Sequence, residues 1–201
     1  TALPRVARLT TAFAERHPEV RMTITARTSA EILTLLDDLE IDAGLTYIDN
    51  EPLGRRAATP LYRERPHLVT ARDGALAARA SVGWAEVGAL HLCLLTPDMQ
   101  NRRIIDRILA EVGVEARPTL ESNSLMVLAA HVRSGRWATV MPRSMVAAMG
   151  RGDVAAAIPI VAPEVAHTIG LVTVPRDPAP PLVAALTATV KRPAPELEAS
   201  A

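Results

Sequence analysis

Three groups of polar residues lie where the sequence changes from a predicted strand to a predicted helix. They are Thr28-Ser29, the loop from Thr96 to Asn101, and Ser122-Asn123-Ser124. Hydroxyls, side-chain amides and the unpaired N–H groups at a helix N-terminus all bind anions through hydrogen bonds. These residue types therefore predict recognition of a small polar or anionic ligand.

The stretch 92–113 shows this unit most clearly. Residues 92–95 form a short apolar run with the composition of a buried strand, and Thr96-Pro97-Asp98 interrupts it. A helix is predicted next, because apolar residues recur at helical spacing, and Gly113 lies where a helix usually ends. Those apolar residues are Ile104, Ile105, Ile108, Leu109 and Val112. In an open α/β sheet, small ligands bind at such a joint.

The other two groups have the same surroundings. Residues 20–26 alternate between apolar and polar side chains, which predicts a half-buried strand, and Thr28-Ser29-Ala30-Glu31 then fits a capping box. Residues 118–121 predict a short strand before Ser122, and a helix with an apolar face follows as far as Gly135. Each group thus follows a strand and begins a helix.

The order of these elements predicts the fold class. Strands that alternate with helices favour α/β architecture with parallel sheets. One such run covers residues 1–68 and a second covers 69–165, while a closing strand and helix in 166–201 can return to the first run. The prediction is therefore two lobes joined by two crossover strands, with a cleft between them.

Composition excludes several other functions. The 22 basic and 22 acidic residues cancel, so this piece alone has no net positive charge with which to bind nucleic acid. No apolar run approaches the ~18 residues of a membrane-spanning helix. The first residue is Thr1, which suggests a piece excised from a longer protein.

Motifs for metal or catalytic chemistry are missing from the sequence. The histidines have no metal-ligand spacing, and Cys93 is the only cysteine and lies in an apolar run, so it is expected to be a small buried side chain. There is no nucleophile elbow, phosphate loop or zinc-protease helix motif. We therefore expect no metal, no cofactor and no catalytic residue.

Arg102 and Arg103 offer a further possible ligand group. A guanidinium can bind a carboxylate through two parallel hydrogen bonds. Both arginines, however, fall away from the apolar face of their helix, so a solvent-exposed pair is the expectation.

Several segments resemble one known family. Residues 13–20, FAERHPEV, resemble the helix-to-strand signature of the effector-binding domain of LysR-type transcriptional regulators. Residues 28–31 and 39–45 are similar to its next segment, and residues 128–135, continuing to Val140-Met141-Pro142, are similar to its late helix-Gly-strand-Pro signature. These matches fall in the family's order and cover nearly the whole chain.

The resemblance implies two Rossmann-like lobes joined by two crossover strands, a type 2 periplasmic-binding-protein-like fold. Lobe I would comprise residues 1–68 and 166–201, and lobe II residues 69–165. It implies an effector, expected to be a carboxylate or other anion, that binds in the cleft at the first residues of several helices. Carried over by position, the effector-binding residues are Thr1, Thr28, Ser29, Thr96, Gln100, Asn101, Asn123 and Ser124. The alternative for Thr28 and Asn123 is helix capping alone.

The resemblance also implies the partners. Family members are cytoplasmic homodimers or tetramers, and the dimer would form through the helix at 2–17 and the strand at 20–26. DNA would be bound only through a winged helix-turn-helix that this chain lacks.

The chain departs from the family at three places. The family usually opens with a glycine-bearing strand, and this sequence begins just after it. Trp137 stands where a second glycine is frequent, which affects how closely backbone and ligand approach there. Relatives that sense peroxide use two cysteines, and this chain has Cys93 alone.

Two alternative functions remain open on the same fold. One is a periplasmic solute-binding protein, which a signal peptide in the parent reading frame would indicate. The other is an enzyme, as in prephenate dehydratases, which would require an acid or base in the cleft.

Overall fold

The computed structural model describes residues 3–50, 52–148 and 155–191. The helices are α1 (Leu3–Ala14), α2 (Ser29–Asp37), α3 (Trp84–Gly88), α4 (Gln100–Glu111), α5 (Leu125–Val132), α6 (Arg143–Ala148) and α7 (Pro181–Lys191). The strands are β1 (Gly44–Tyr47), β2 (Ala57–Glu64), β3 (Pro66–Ala71), β4 (Val82–Gly83), β5 (Cys93–Leu95), β6 (Leu120–Ser122), β7 (Thr139–Pro142), β8 (Ala155–Val161) and β9 (His167–Thr173).

Two compact units divide the chain. We call residues 3–64 and 167–191 the terminal unit, and residues 65–148 and 155–166 the central unit. The chain passes from one unit to the other twice, between β2 and β3 and between β8 and β9. The boundary expected after residue 68 falls within β3, and β3 as a whole belongs to the central unit because it pairs with β7 and β8.

The terminal unit has a three-stranded sheet in the order β1-β9-β2. Both pairings are antiparallel, so the prediction of parallel strands is wrong for this sheet. The reason is that β9 comes from the far end of the chain and runs opposite to both neighbours. Helix α2 packs on one face, with Leu33 and Leu36 against Val172. A Cβ on Gly44 would lie 2.3 Å from Ile32 Cγ2, so glycine allows this close packing of α2 on β1.

Residues 20–26 form no strand within the described part of the chain, so this prediction is wrong for the isolated chain. Their side chains are largely exposed, including Met22 at 39% and Ile24 at 62%. A strand requires a hydrogen-bonded neighbour, and β1 pairs only with β9 among the described strands. The alternation of side chains is therefore not sufficient by itself.

The central unit has parallel and antiparallel pairings. Its four-stranded sheet has the order β4-β8-β3-β7, and β5 and β6 form a separate pair. The pairs β5–β6 and β4–β8 are parallel, as predicted, whereas β3 is antiparallel to both neighbours. A parallel bridge between Leu92 and Ala138 connects the β5–β6 pair to the residue before β7. This places the carboxyl ends of β5 and β6 at one edge of the unit.

Helix α4 packs as the sequence predicted. Ile104, Ile105, Ile108 and Leu109 are all at most 4% exposed. The chain leaves the helix at Gly113, where φ is +78°, a conformation that favours glycine. No helix in the described ranges is long and apolar enough to cross a membrane.

Candidate functional site

Helix α2 begins with a complete capping box. The backbone N–H of Glu31 donates to Thr28 Oγ1 at 3.2 Å, and the backbone N–H of Thr28 donates to Glu31 Oε2 at 2.8 Å. The N–H of Ile32 donates to the Thr28 carbonyl at 3.0 Å. Thr28 therefore caps the helix, which is the alternative considered for it, and its hydroxyl already accepts a hydrogen bond.

The next residue, Ser29, is buried beside a strand residue. Ser29 is 8% exposed and Thr46, in β1, is 4% exposed. The Thr46 hydroxyl donates to Ser29 Oγ at 2.7 Å. Among the described residues, the backbone N–H groups of Ser29 and Ala30 have no acceptor. The start of α2 thus presents two N–H groups and one hydroxyl.

A second group of polar residues lies at the carboxyl edge of the central unit, which we define as the ends of β5 and β6. Leu95 pairs with Ser122, and the N–H of Thr96 donates to the Ser122 carbonyl at 3.2 Å. The parallel register brings Thr96 next to the residues that follow β6. The Thr96 hydroxyl oxygen is buried and has no hydrogen-bond partner among the described residues.

Helix α5 begins at this edge without a side-chain cap. Its N-cap residue is Ser124, whose side chain makes no capping hydrogen bond, and the Ser124 N–H donates to Ser122 Oγ at 3.1 Å. The N–H groups of Leu125, Met126 and Val127 have no acceptor in the described part of the chain, whereas Leu128 N–H donates to the Ser124 carbonyl. The neighbouring Asn123 is exposed and does not cap the helix. Three backbone donors at this helix start therefore have no acceptor in the described residues, and the exposed Asn123 amide lies next to them in sequence.

Gln100 and Asn101, in the first turn of α4, are more enclosed. They are 7% and 8% exposed. Gln100 Oε1 accepts a hydrogen bond from Arg103 Nε at 2.8 Å, and Arg103 Nη1 also donates to the Asp98 carbonyl at 2.7 Å. These contacts hold the loop before α4 in place. The structure therefore buries both side chains and ties Gln100 to Arg103 within the same helix.

Arg102 is buried, so the expectation of a solvent-exposed pair is wrong for it. Its residue exposure is 6%, and its guanidinium binds Asp106, Glu121 and the Leu95 carbonyl. Burial alone would lower the pKa of Arg102, but the hydrogen bonds to Glu121 and Asp106 outweigh it and the pKa is raised. Arg102 thereby ties α4 to both strands that form the carboxyl edge, and its Nε and Nη1 donors are used within the unit.

Cys93 has the properties predicted for a small buried side chain. It is 0% exposed, and burial raises the pKa of its thiol to about 11. Such a thiol is protonated at neutral pH and is a poor nucleophile. In the described residues no group of three or more His, Cys, Asp or Glu side chains is arranged to hold a metal ion.

Trp137 lies at the other end of the central unit's strands. Its Nε1–H donates to Thr119 Oγ1 at 3.0 Å, and its ring contacts His131 edge-to-face. Thr119 precedes β6, whereas Asn123 follows it. The large Trp137 side chain therefore lies away from the carboxyl edge.

The predicted residues thus fall into separate groups. Thr28 and Ser29 lie together at the start of α2, while Thr96, Asn123 and Ser124 lie together at the carboxyl edge, with Gln100 and Asn101 on the adjoining helix. Thr1 lies outside the described residues. Sequence reasoning missed Thr46, which is 17 residues from Ser29 and which no short-range pattern indicates. It named Ser122 as part of the Ser-Asn-Ser run, and it considered Arg102 but expected it to be exposed.

An α/β chain of two units, each with helix N-termini that carry hydrogen-bond donors, defines the class of type 2 periplasmic-binding-protein-like domains. Within that class, the chain belongs to the LysR substrate binding domain family, whose family model matches residues 1–194. The family and the fold predicted from the sequence are both confirmed.

Solved structures of this fold are similar over most of the chain. A full-length OxyR variant from Pseudomonas aeruginosa has a TM-score of 0.80 and 20% identity, covering 91% of this chain and 63% of that one. The effector binding domain of QuiR in complex with shikimate has a TM-score of 0.78 and 18% identity, covering 92% and 88%. The regulatory domain of Synechocystis CcmR in complex with 2-PG has a TM-score of 0.80 and 14% identity, covering 95% and 93%.

The chain spans different shares of the similar proteins' lengths. It spans 63% of the OxyR variant, which is described as full-length, but about nine-tenths of the two isolated effector-binding or regulatory domains. A comparison with curated proteins found no match.

Proposed function

We propose that this chain is the ligand-sensing domain of a cytoplasmic, LysR-family DNA-binding transcriptional regulator. A small polar or anionic metabolite would bind at the N-terminus of α5, and binding would favour one state of the regulator over another. DNA contact would be made through an N-terminal domain outside this sequence. The net charge of zero is consistent with DNA binding by that other domain rather than by this one.

The unpaired N–H groups at the start of α5 are the main support for an anionic effector. Leu125, Met126 and Val127 offer three donors at the positive end of a helix dipole, beside the exposed amide of Asn123. Thr96 adds a hydroxyl without a partner among the described residues. QuiR, a protein of the same fold, is described in complex with shikimate, which is a carboxylate.

We assign a binding role rather than a catalytic one. The groups gathered at the two helix N-termini are hydroxyls, an amide and backbone N–H groups, which bind and orient a ligand. The regulator would respond because the effector has a different affinity for its two states.

Ligand-dependent thermal unfolding of the purified chain tests this proposal. The panel contains small carboxylates, phosphorylated metabolites, amino acids, sugars and inorganic anions, with wild type, Asn123→Ala and His91→Ala measured in parallel. His91 is an exposed polar residue at the opposite end of β5 and is the matched control. A ligand at ~100 times its Kd adds ~2.7 kcal/mol, or about 5–10 °C for a chain of this length.

The expected result is a shift that Asn123→Ala reduces and His91→Ala preserves. A ligand whose shift is equal in wild type and Asn123→Ala would contradict the proposed site. A complete panel without any shift would contradict an anionic effector from these classes.

We also propose association into a homodimer or tetramer through α1 and residues 20–26. The exposed side chains of Met22 and Ile24 support an interface there. Sedimentation velocity at tens of micromolar should show a dimer or larger species that Ile24→Glu converts to monomer. A monomeric wild type at that concentration would contradict this arrangement.

A further inference from the structure

Three basic side chains gather in the central unit where β7 ends and β3 begins. They are Arg65, His67 and Arg143, and none of them belongs to the predicted effector-binding set. We propose that these three side chains form a dianion site, which binds an inorganic anion of the sulfate or phosphate type while His67 takes up a proton. The dianion site would be additional to the effector site proposed at α5 and would not depend on it.

The register of the two strands brings these side chains together. Strands β3 and β7 pair antiparallel, with Pro66 opposite Pro142. Continued by one residue, this register places Arg65 opposite Arg143. Arg65 also shares a face of the sheet with His67, because side chains alternate along a strand. Like charges at opposite positions repel one another, and a bound anion would offset that repulsion.

The two guanidinium groups have little opposing charge near them. Arg65 Nη1 lies 3.6 Å from Glu164 Oε2, but these side chains are 63% and 69% exposed, and an exposed pair of this length is weak. Arg143 is exposed and has no ion pair within the described residues. When His67 is protonated, three positive charges face the one negative charge of Glu164. The excess of two positive charges matches a dianion.

His67 is half-buried and is the member of the dianion site whose charge can change near neutral pH. Its Nδ1 lies 3.2 Å from the Arg65 carbonyl, and a carbonyl only accepts, so Nδ1 carries a proton in this contact. Nε2 therefore gains the second proton when the ring becomes a cation. Burial lowers the pKa of His67, and the guanidinium groups of Arg143 and Arg65 lower it further, although the hydrogen bond to the Arg65 carbonyl opposes them.

The elements that pack on β3 add little to these charges. Strands β7 and β8 carry no ionisable side chain, and α6 carries Arg143 alone. Helix α5 contributes His131, whose ring contacts Trp137 at the opposite end of β7. A bound anion should therefore raise the pKa of His67. By linkage, the anion should bind more tightly as the pH falls through that pKa.

Histidine-ring NMR of the complete 201-residue chain tests this proposal. The pKa of His67 is measured between about pH 5 and 8, in chloride and in sulfate at equal ionic strength. Sulfate is chosen because it remains a dianion over that range. The variants are Arg143→Gln, Arg143→Lys and Arg136→Gln, and native amide dispersion shows that each is folded. Arg136 is the matched control, since it is an exposed arginine that precedes β7 and its loss changes the net charge equally.

In wild type, saturating sulfate should raise the pKa of His67 by about 1, which corresponds to roughly tenfold tighter binding to the protonated form. Without sulfate, Arg143→Gln should itself raise this pKa, because one repelling charge is removed, and sulfate should then have little further effect. Arg143→Lys should keep most of the sulfate response, and Arg136→Gln should behave as wild type. Acetate, which carries a single charge, should raise the pKa of His67 by less than half as much as sulfate.

A pKa of His67 that sulfate leaves unchanged, or raises equally in wild type and Arg143→Gln, would overturn the dianion site. An equal response to acetate would overturn its preference for two charges. The amide signals of Leu125, Met126 and Val127 report on the proposed effector site in the same samples. If these amides respond to sulfate and His67 does not, the dianion site is overturned and the proposed function stands. If His67 alone responds, the dianion site stands and anion binding at α5 is contradicted.

Discussion

The helices α2 and α5 begin in similar sequence contexts but differ in how their first N–H groups are used. Thr28 and Glu31 close a capping box on α2, whereas Ser124 and Asn123 leave α5 without a side-chain cap. As a result, two N–H groups of α2 and three of α5 have no acceptor in the described residues.

The difference separates two ways of stabilising a helix N-terminus. A capping side chain contributes about 1 kcal/mol whether or not a ligand is present. An uncapped terminus is solvated in the free protein and gains that stabilisation when an anion binds. A polar residue at a helix start therefore supports a ligand site more strongly when its helix is left uncapped.

The largest predicted effect concerns Arg102, which connects α4 to the strands of the carboxyl edge. Arg102→Met would leave Glu121, Asp106 and the Leu95 carbonyl without their donor. We expect a loss of roughly 2 kcal/mol in unfolding free energy, or about 4–8 °C, measured by chemical and thermal denaturation.

Arg107→Met is the matched control, because the Arg107 side chain lies on the same helix at 57% exposure and makes a 3.9 Å ion pair. We expect a change within about 0.5 kcal/mol. Equal destabilisation by the two variants would show that the buried network does not stabilise this edge.

Ser124→Asp should convert the uncapped helix into a capped one. The carboxylate would accept first-turn N–H groups and raise stability by up to about 1 kcal/mol. It would also repel an anionic effector, so sulfate or any hit from the ligand panel should bind at least about tenfold more weakly, measured by calorimetry. Unchanged affinity in a stabilised variant would show that the anion does not bind at α5.

Replacing each N-cap residue by alanine tests the comparison directly. Thr28→Ala should cost about 1 kcal/mol of unfolding free energy, since it removes the capping hydrogen bond. Ser124→Ala should change stability by only a few tenths of a kcal/mol, because its side chain caps nothing. Urea denaturation of both variants provides the measurement, and equal losses would contradict the assignment of different caps.

The terminal unit buries a carboxyl group, that of Glu64, which predicts that the free energy of unfolding depends on pH. Glu64, in β2, is 6% exposed and accepts a 2.7 Å hydrogen bond from the Tyr47 hydroxyl. Burial raises the pKa of Glu64 above its ordinary value of 4.5, although the Tyr47 hydrogen bond opposes this rise. The folded state therefore holds this proton to higher pH than the unfolded state, and stability falls as pH rises through that window.

Glu64→Gln removes this pH-dependent contribution to the free energy of unfolding. Relative to the variant, wild type should lose stability as pH rises from about 4.5 through the raised folded pKa, and the difference should then become constant. Urea denaturation between pH 4 and 8 measures it, with the exposed Glu19→Gln as control. Parallel curves for wild type and Glu64→Gln would contradict a raised pKa.

Much of the local structure could be predicted from short-range patterns. The Thr-x-x-Glu spacing indicated the capping box of α2, and the isoleucine periodicity with Gly113 indicated the extent and buried face of α4. The apolar run before Thr96 indicated a buried strand. These features depend on residues a few positions apart, whose contacts are formed within one turn or one strand.

Other features depended on partners distant in sequence. The alternation in residues 20–26 predicted a strand, but no described strand pairs with it. The polar face of α4 predicted an exposed Arg102, but β6 brings Glu121 beside it, 19 residues away. The parallel arrangement expected for β1 failed because β9 enters from the other end of the chain.

The amino-acid sequence alone determined the positions of the helices, the α/β class and the family, because periodicity, caps and ordered signatures are local properties. Tertiary structure determined which polar groups remain available to a ligand. Thr28 and Ser124 carry the same kind of hydroxyl at a helix start, yet one caps its helix and the other does not. The Ser29 hydroxyl has a hydrogen-bond partner only because folding places the Thr46 hydroxyl at 2.7 Å. Hydrogen-bond availability depends on every neighbour in space, and those neighbours come from distant parts of the chain.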